Sequence, residues 1–188
     1  MVMPRRPKLL ATAISLLGVA AIAAAFWASK DWLHEEWWIH KLETGDVGER
    51  TRAAMRLGEL QSSRAVPHLL RVIGESSQMG GIALTLAYPD KTTLKTSFSI
   101  HGDEKSADLC MTCMKSIYEM TPTPRLESSL VEALQDASAV VRVTACDRLA
   151  RMPGLSEEAL LALRELLSDS DPAVRKIAGK ALERIQSR

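Results

Sequence analysis

The sequence has few aromatic residues and no excess of charge of either sign. Aromatic residues make up 4% of its 188 residues, and the formal net charge is +1. A balanced charge lacks the basic surface with which nucleic-acid-binding proteins attract phosphate, so we expect no nucleic-acid partner. G-x-S-x-G, P-loop and dinucleotide-binding patterns are also missing from the sequence. We therefore predict that the protein is not an enzyme and has no catalytic, cofactor-binding or metal-binding residues.

One long apolar run lies near the N-terminus. Residues 9–28 carry no charge, and as a helix they span about 30 Å, the thickness of the hydrocarbon core of a bilayer. Basic residues precede the run, so the positive-inside rule predicts a cytoplasmic tail at 1–8 and an extracytoplasmic, periplasmic domain at 29–188. We predict a single-pass membrane anchor. One alternative is a cleaved signal, which the length of the run and the bulky Phe26 and Trp27 disfavour. The other is a buried helix of a soluble core.

Four segments of the remaining chain share one register. Each opens with a residue that caps helix N-termini: Asp46, Ser106, Ser138 and Asp171. Seven positions later stands a small residue: Ala53, Cys113, Ala145 and Ala178. Eleven positions after the cap stands a large apolar residue: Leu57, Ile117, Leu149 and Leu182. The spacing keeps both on one helix face, where the small residue permits close helix packing.

Partner helices are predicted between these four. They include residues 31–42, 69–73, 130–134 and 163–167, with Thr123-Pro124 and Ser156 as start signals and Gly74 as the C′ residue of the second. The four caps are 60, 32 and 33 residues apart, and a period near 32 with two helices per unit indicates an α-solenoid. We expect an all-α fold of about seven helices after the transmembrane helix.

The long first spacing indicates an insertion over residues 78–105. Within it, 82–88 and 94–100 favour strands, and the turn-forming residues between them make a β-hairpin plausible. An isolated hairpin is marginal in water, so we favour packing of its apolar face on the helices. The alternatives are a strand edge or apolar patch offered to a partner, and a loose loop.

The repeated residues resemble the HEAT-repeat family, in particular its bilin-lyase-like members. The resemblance rests on Arg50, Ala53, Leu57-Gly58 and Val66-Pro67, on Asp136, Val141-Arg142, Ala145 and Leu149, and on Asp169, Val174-Arg175, Ala178 and Leu182. It covers about 46–73 and 123–185. The repeat at 106–134 departs from it, because Cys110 stands where the others have arginine. The resemblance implies stacked helices that serve as a protein-binding scaffold.

Few residues suggest chemistry beyond packing. Cys110 and Cys113 form a CxxC, but a second CxxC and an HxxxH are missing, so we favour packing cysteines over a disulfide or a redox or metal site. The histidines, including His34 and His40 near the predicted membrane surface, are not expected to be ligands. We expect Asp147 and the Glu157-Glu158 pair on helix surfaces.

The recurring arginines have two interpretations. Arg50, Arg142 and Arg175 either form an anion-binding stripe or pair with Asp136 and Asp169 to brace neighbouring repeats. The recurrence of the aspartates favours bracing.

The predicted function is that of a membrane-anchored, non-catalytic scaffold. It would bind protein partners through its concave helix face or through the insertion at 78–105. The first alternative is an accessory or maturation factor for an enzyme or cofactor complex, as the bilin-lyase-like resemblance implies. A less favoured one is a redox or metal protein that uses Cys110 and Cys113.

Overall fold

The computed structural model describes residues 33–78, 81–87, 93–100 and 104–188. The predicted tail at 1–8 and the predicted anchor at 9–28 lie outside these residues. No helix within the described ranges has both the length and the apolar character needed to cross a membrane. The chain divides into two compact units, Met1–Trp37 and Trp38–Arg188, and the description below concerns the second.

Eight α-helices follow one another in the described part of the chain. They are α1 (33–44), α2 (Val47–Glu59), α3 (Val66–Gln78), α4 (Glu104–Glu119), α5 (Pro124–Ala133), α6 (Ala139–Arg151), α7 (Glu157–Glu165) and α8 (Pro172–Gln186). Short 3₁₀ turns precede α3 at Ser63–Ala65 and follow α7 at Leu166–Ser168. The order fits the predicted solenoid of helix pairs. We call α2, α4, α6 and α8 the second helices, because each is the second member of its pair.

Two strands lie between α3 and α4. β1 (Gly81–Ala87) and β2 (Thr93–Ile100) pair antiparallel, with Ala87 opposite Thr93 and an irregular register next to Gly81. The turn at 88–92 lies outside the described residues, so the hairpin stays a prediction. Both ends of the predicted insertion at 78–105 are helical, because α3 ends at Gln78 and α4 begins at Glu104. The segment between the two helices is therefore 79–103, shorter than predicted.

Most helices begin where N-cap chemistry predicts. Four predicted caps are confirmed by a side-chain oxygen that accepts a hydrogen bond from the first turn: Asp46, Thr123, Ser156 and Asp171. Ser138 is also an N-cap residue, although its side chain makes no cap hydrogen bond. The cap predicted at Ser106 is wrong, because α4 already begins at Glu104. Serine inside a first turn costs a helix little, so the shared register misplaces this start.

The second helices stack through small residues. α2 packs against α4, and α6 packs against α8. The four predicted small positions are all completely buried: Ala53, Cys113, Ala145 and Ala178. The hydroxyl of Ser116 donates to the carbonyl of Ala54 at 2.8 Å, and a Cβ on Gly58 would lie 2.8 Å from Cβ of Ser116. The register therefore predicts the packed face of these helices correctly.

The C-terminal end of α3 departs from the predicted register. The prediction of Gly74 as a C′ residue is wrong, because α3 continues to Gln78 and Gly74 lies inside it. A Cβ at this position would lie 3.3 Å from Cγ2 of Val141 on α6. The glycine thus lets α3 pack closely on α6 instead of ending the helix.

Arg142 ties two repeats together. Its Nε and Nη2 donate to Oδ2 and Oδ1 of Asp169 in the next repeat, both at 2.8 Å. Its Nη1 donates to the carbonyls of Asp136 and Ala137 in the turn before α6. The bracing prediction is confirmed for Arg142 and Asp169. The carboxylate of Asp136, in contrast, meets no arginine within the described residues.

Arg50 and Arg175 share parts of this arrangement. Arg50 donates to the carbonyl of Leu42 at 2.9 Å and pairs with Glu75 at 2.8 Å. Arg175 donates through Nη1 to the carbonyls of residues 169 and 170. In all three repeats the arginine therefore holds the chain that leads into its own helix.

Asp169→Asn is expected to lower the free energy of unfolding by about 2 kcal/mol at neutral pH, because hydrogen bonds between charged groups contribute roughly that much. The side chains of Asp169 and Arg142 are only 8% and 12% exposed, so water can replace few of the hydrogen bonds that the substitution removes. Urea unfolding followed by circular dichroism measures the change. The control is Glu59→Gln, which removes an exposed pair with Arg56 and should cost less than about 0.5 kcal/mol. Equal losses in the two variants would contradict the bracing role.

The same variant should show a characteristic pH dependence. Hydrogen bonds from Arg142 hold the pKa of Asp169 below its ordinary value, although burial acts in the opposite direction. A carboxyl whose pKa is lowered in the folded state stabilises the protein above its unfolded pKa of about 4, and this contribution is lost as pH falls through the folded pKa. The stability difference between wild type and Asp169→Asn should therefore narrow below about pH 4.

Candidate partner-binding groove

A cleft of about 440 Å³ opens between α3 and the turn that joins α5 to α6. We call it the groove. Apolar and charged side chains line it together, among them Leu70, Ala133, Arg71, Glu75, Glu132 and Asp136. The leucine belongs to the buried core, whereas the three acids are exposed. The groove therefore combines an apolar part with a mainly acidic one.

The groove lies where the regular stacking of helices changes. α2 on α4 and α6 on α8 are the regular steps, but between them α3 also packs on α6 through Gly74. The next residue, Glu75, lines the groove. Extension of α3 beyond the predicted end thus builds one wall of the site.

A missing arginine distinguishes this junction from the others. Cys110 of α4 occupies the position that is arginine in the other repeats, and its side chain is completely buried. A thiol cannot extend to an acid of the next repeat as a guanidinium does. Asp136 and the neighbouring Glu132 consequently have no cationic side chain bound to them in the described part of the chain.

The other charges of the groove are already paired. Glu75 binds Arg50, and Arg71 binds Glu43 of α1. Nδ1 of His68 also lies 2.7 Å from the Glu43 carboxylate. The pKa of Glu43 is lowered, first by the hydrogen bond with His68 and then by Arg71, against the effect of burial. Nε of Arg71 also lies 3.9 Å from Oε1 of Glu75. Because this one arginine faces three acids in the lining, the groove has an excess of negative charge.

The insertion and the groove share α3. β1 begins three residues after the last residue of this helix, and both strands approach it. A partner that lies along the C-terminal half of α3 would therefore meet both features.

The cysteines lie in the core. Cys110, Cys113 and Cys146 are free thiols, and all are completely buried. Burial raises the pKa of Cys110 to about 12 and also raises the pKa values of Cys113 and Cys146. Because the thiolate is the form that attacks disulfides and binds metals, this environment favours packing over redox chemistry.

The surface position predicted for Asp147 is wrong. Asp147 is completely buried, and its Oδ2 accepts hydrogen bonds from Tyr118 at 2.6 Å and from Arg151 at 2.9 Å. The register contains no signal for this, because the equivalent residues Met55 and Lys115 are exposed. α6 differs because α3, α4, α5 and α8 all pack against it. The hydrogen bonds among Tyr118, Asp147 and Arg151 link α4 to α6. Glu157 and Glu158, in contrast, are exposed as predicted.

A metal site is not evident in the described ranges. No three or more histidine, cysteine, aspartate or glutamate side chains there are placed to hold a metal ion together. Of the four histidines, His68 contacts Glu43 and His40 lies near Thr44 of its own helix. His101 lies outside the described residues.

Two parts of the chain match the profiles of known repeat families. Residues 127–188 match the profile of HEAT repeats, and residues 49–75 match that of the PBS lyase HEAT-like repeat. Both matched segments are therefore similar to HEAT repeats. They overlap the predicted 46–73 and 123–185, and α4, which carries Cys110, lies between the two matches. No curated protein matches the chain.

The three thiols are expected to resist modification in the folded protein. A pKa of about 12 leaves about one Cys110 in ten thousand ionised at about pH 8, and burial excludes the reagent as well. Labelling with a chromogenic disulfide should reach all three cysteines only after denaturation. Ser128→Cys, on the exposed face of α5, provides a reactive control. Rapid native labelling of Cys110 or Cys113 would instead support the redox or metal alternative.

Proposed function

We propose that this protein is a membrane-anchored, non-catalytic HEAT-repeat scaffold that binds a partner protein at the groove. The observation that carries the proposal is the cleft at the irregular junction between the two HEAT matches. Stacked repeats form a rigid surface, and a cleft between their helices is a common place for a partner to dock. The described residues there contribute apolar surface and two carboxylates, those of Glu132 and Asp136, that bind no described cationic side chain.

The insertion provides a second contact surface. Its two strands follow directly from α3, which also forms a wall of the groove. Irregular segments on a regular scaffold are frequent sites of specific contacts, and a strand edge can pair with an extended segment of a partner. The predicted concave helix face is a further candidate. Separately, Met55 on α2 and Met111 on α4 are about half exposed.

The proposed anchor is the uncharged run at 9–28. It would hold the scaffold at the membrane on the extracytoplasmic side and thereby raise its local concentration near a membrane-bound partner. We expect a C-terminal fusion to a reporter enzyme that is active only outside the cytoplasm to be active. An inactive but stable fusion would reverse the proposed orientation.

The match of 49–75 to the PBS lyase HEAT-like repeat supports a second candidate, an accessory or maturation factor. Such a factor would also bind through its repeats, but its partner would be an enzyme or a cofactor-carrying protein. The identity of the bound protein therefore separates the two candidates.

Site-specific photo-crosslinking tests the proposal. A benzophenone amino acid at Ser129, a half-buried residue of the groove, should give a reproducible adduct with a partner in membranes that contain the full chain. The same amino acid at Lys176, an exposed residue of α8 outside the groove, is the control and should give none. Equal labelling from the two positions, or none from Ser129, would reject the groove as the contact surface.

Replacement of 79–103 with a short Gly-Ser linker tests the insertion within the same experiment. We expect the Ser129 adduct to weaken severalfold, whereas helical circular dichroism should change little, because the residues removed lie between α3 and α4. An undiminished adduct would restrict the contact to the helices.

A further inference from the structure

The chain shows how its repeats bind a guanidinium group. In the turn before α8, Oδ1 of Asp169 accepts the backbone N–H of Asp171 at 2.8 Å, which orients the carboxylate. Both oxygens of this carboxylate then accept hydrogen bonds from Arg142. Nη1 of Arg175 donates to two carbonyls of the same turn, those of residues 169 and 170.

The turn before α6 repeats this arrangement without the first arginine. Oδ1 of Asp136 accepts the backbone N–H of Ser138 at 2.7 Å, and Arg142 holds the carbonyls of residues 136 and 137. The arginine that would come from the preceding repeat is replaced by Cys110. Asp136 therefore presents an oriented, exposed carboxylate whose equivalent in the next repeat binds a guanidinium.

The surroundings of Asp136 suit an arginine side chain in particular. Glu132 adds a second carboxylate to the same wall of the groove, and Leu70 and Ala133 offer apolar surface for the aliphatic stem. A planar guanidinium binds a carboxylate through two parallel hydrogen bonds, which the round ammonium group of lysine cannot do.

The arginines that the structure describes near the groove already have carboxylate partners. Arg142 donates to the carbonyl of Asp136, but its ion pair is with Asp169. Arg71 is bound to Glu43, and Arg50 is bound to Glu75. The segment 79–103 contains lysines at 91 and 95 but no arginine. Arg5 and Arg6 precede the proposed anchor, and the proposed orientation would place them on the cytoplasmic side.

We propose that the groove binds an arginine side chain of the partner protein, in the way that Asp169 binds Arg142. Asp136 would accept the two parallel hydrogen bonds, Glu132 would add charge, and Leu70 would contact the stem. This inference rests on the proposed scaffold function and specifies the chemistry of the partner.

A peptide selection tests it. The full chain, purified in detergent, is used to select binders from a displayed library of random twelve-residue peptides. We expect an arginine at one fixed position of the selected peptides. In fluorescence anisotropy, Asp136→Asn should weaken the best peptide about tenfold or more, and replacement of the peptide arginine by citrulline, its neutral isostere, should do the same. Lysine at that position should weaken binding by a smaller factor.

Two controls show whether a loss of binding comes from the site or from a disturbed fold. Asn at 136 can still accept the N–H of Ser138, so the turn and the thermal unfolding midpoint should be preserved. Glu119→Gln makes the same change of charge on α4 outside the groove and should leave affinity unchanged.

Two results would overturn the inference. Peptides without a fixed arginine, or peptides that bind Asp136→Asn as tightly as wild type, would remove the arginine site but leave the Ser129 crosslink to decide the scaffold function. Failure of both the selection and the crosslink would reject the scaffold function as well.

Discussion

Close packing of the second helices restricts one position of every repeat to a small side chain. Ala53, Cys113, Ala145 and Ala178 occupy it and are completely buried. A larger residue would force adjacent helices apart, and cores close-packed to this degree absorb extra volume poorly. The resulting distance between repeats also determines which side chains reach from one repeat to the next. The Arg142–Asp169 pair and the groove both depend on that distance.

The groove results from two exceptions to this regular packing. α3 continues beyond its expected end because Gly74 leaves room for Val141 of α6. α4 carries a buried cysteine where the other second helices carry an arginine. The first exception supplies a wall of the groove, and the second leaves a carboxylate without its guanidinium. The departure from the repeat thus leaves the Asp136 carboxylate oriented like that of Asp169 but without the guanidinium that Asp169 binds.

The local features of this fold were predictable from sequence, whereas the complete burial of Asp147 in α6 was not. Caps such as Asp46 and Asp171 act on N–H groups two or three residues away, so their spacing reveals them. The register failed at Asp147, because its equivalents Met55 and Lys115 are exposed. Burial of that residue depends on helices from distant parts of the chain that enclose α6.

The sequence by itself determined the helix pairs, their period, the packed face and the place of the insertion. These follow from periodic burial and from hydrogen bonds between residues close in the chain. Only the tertiary structure decided that α3 lies against α6, that Asp147 is buried and that Asp136 lies exposed beside a groove. These features depend on contacts between parts of the chain that are distant in sequence. Which contacts form depends on the volumes and lengths of side chains that meet only when the helices pack.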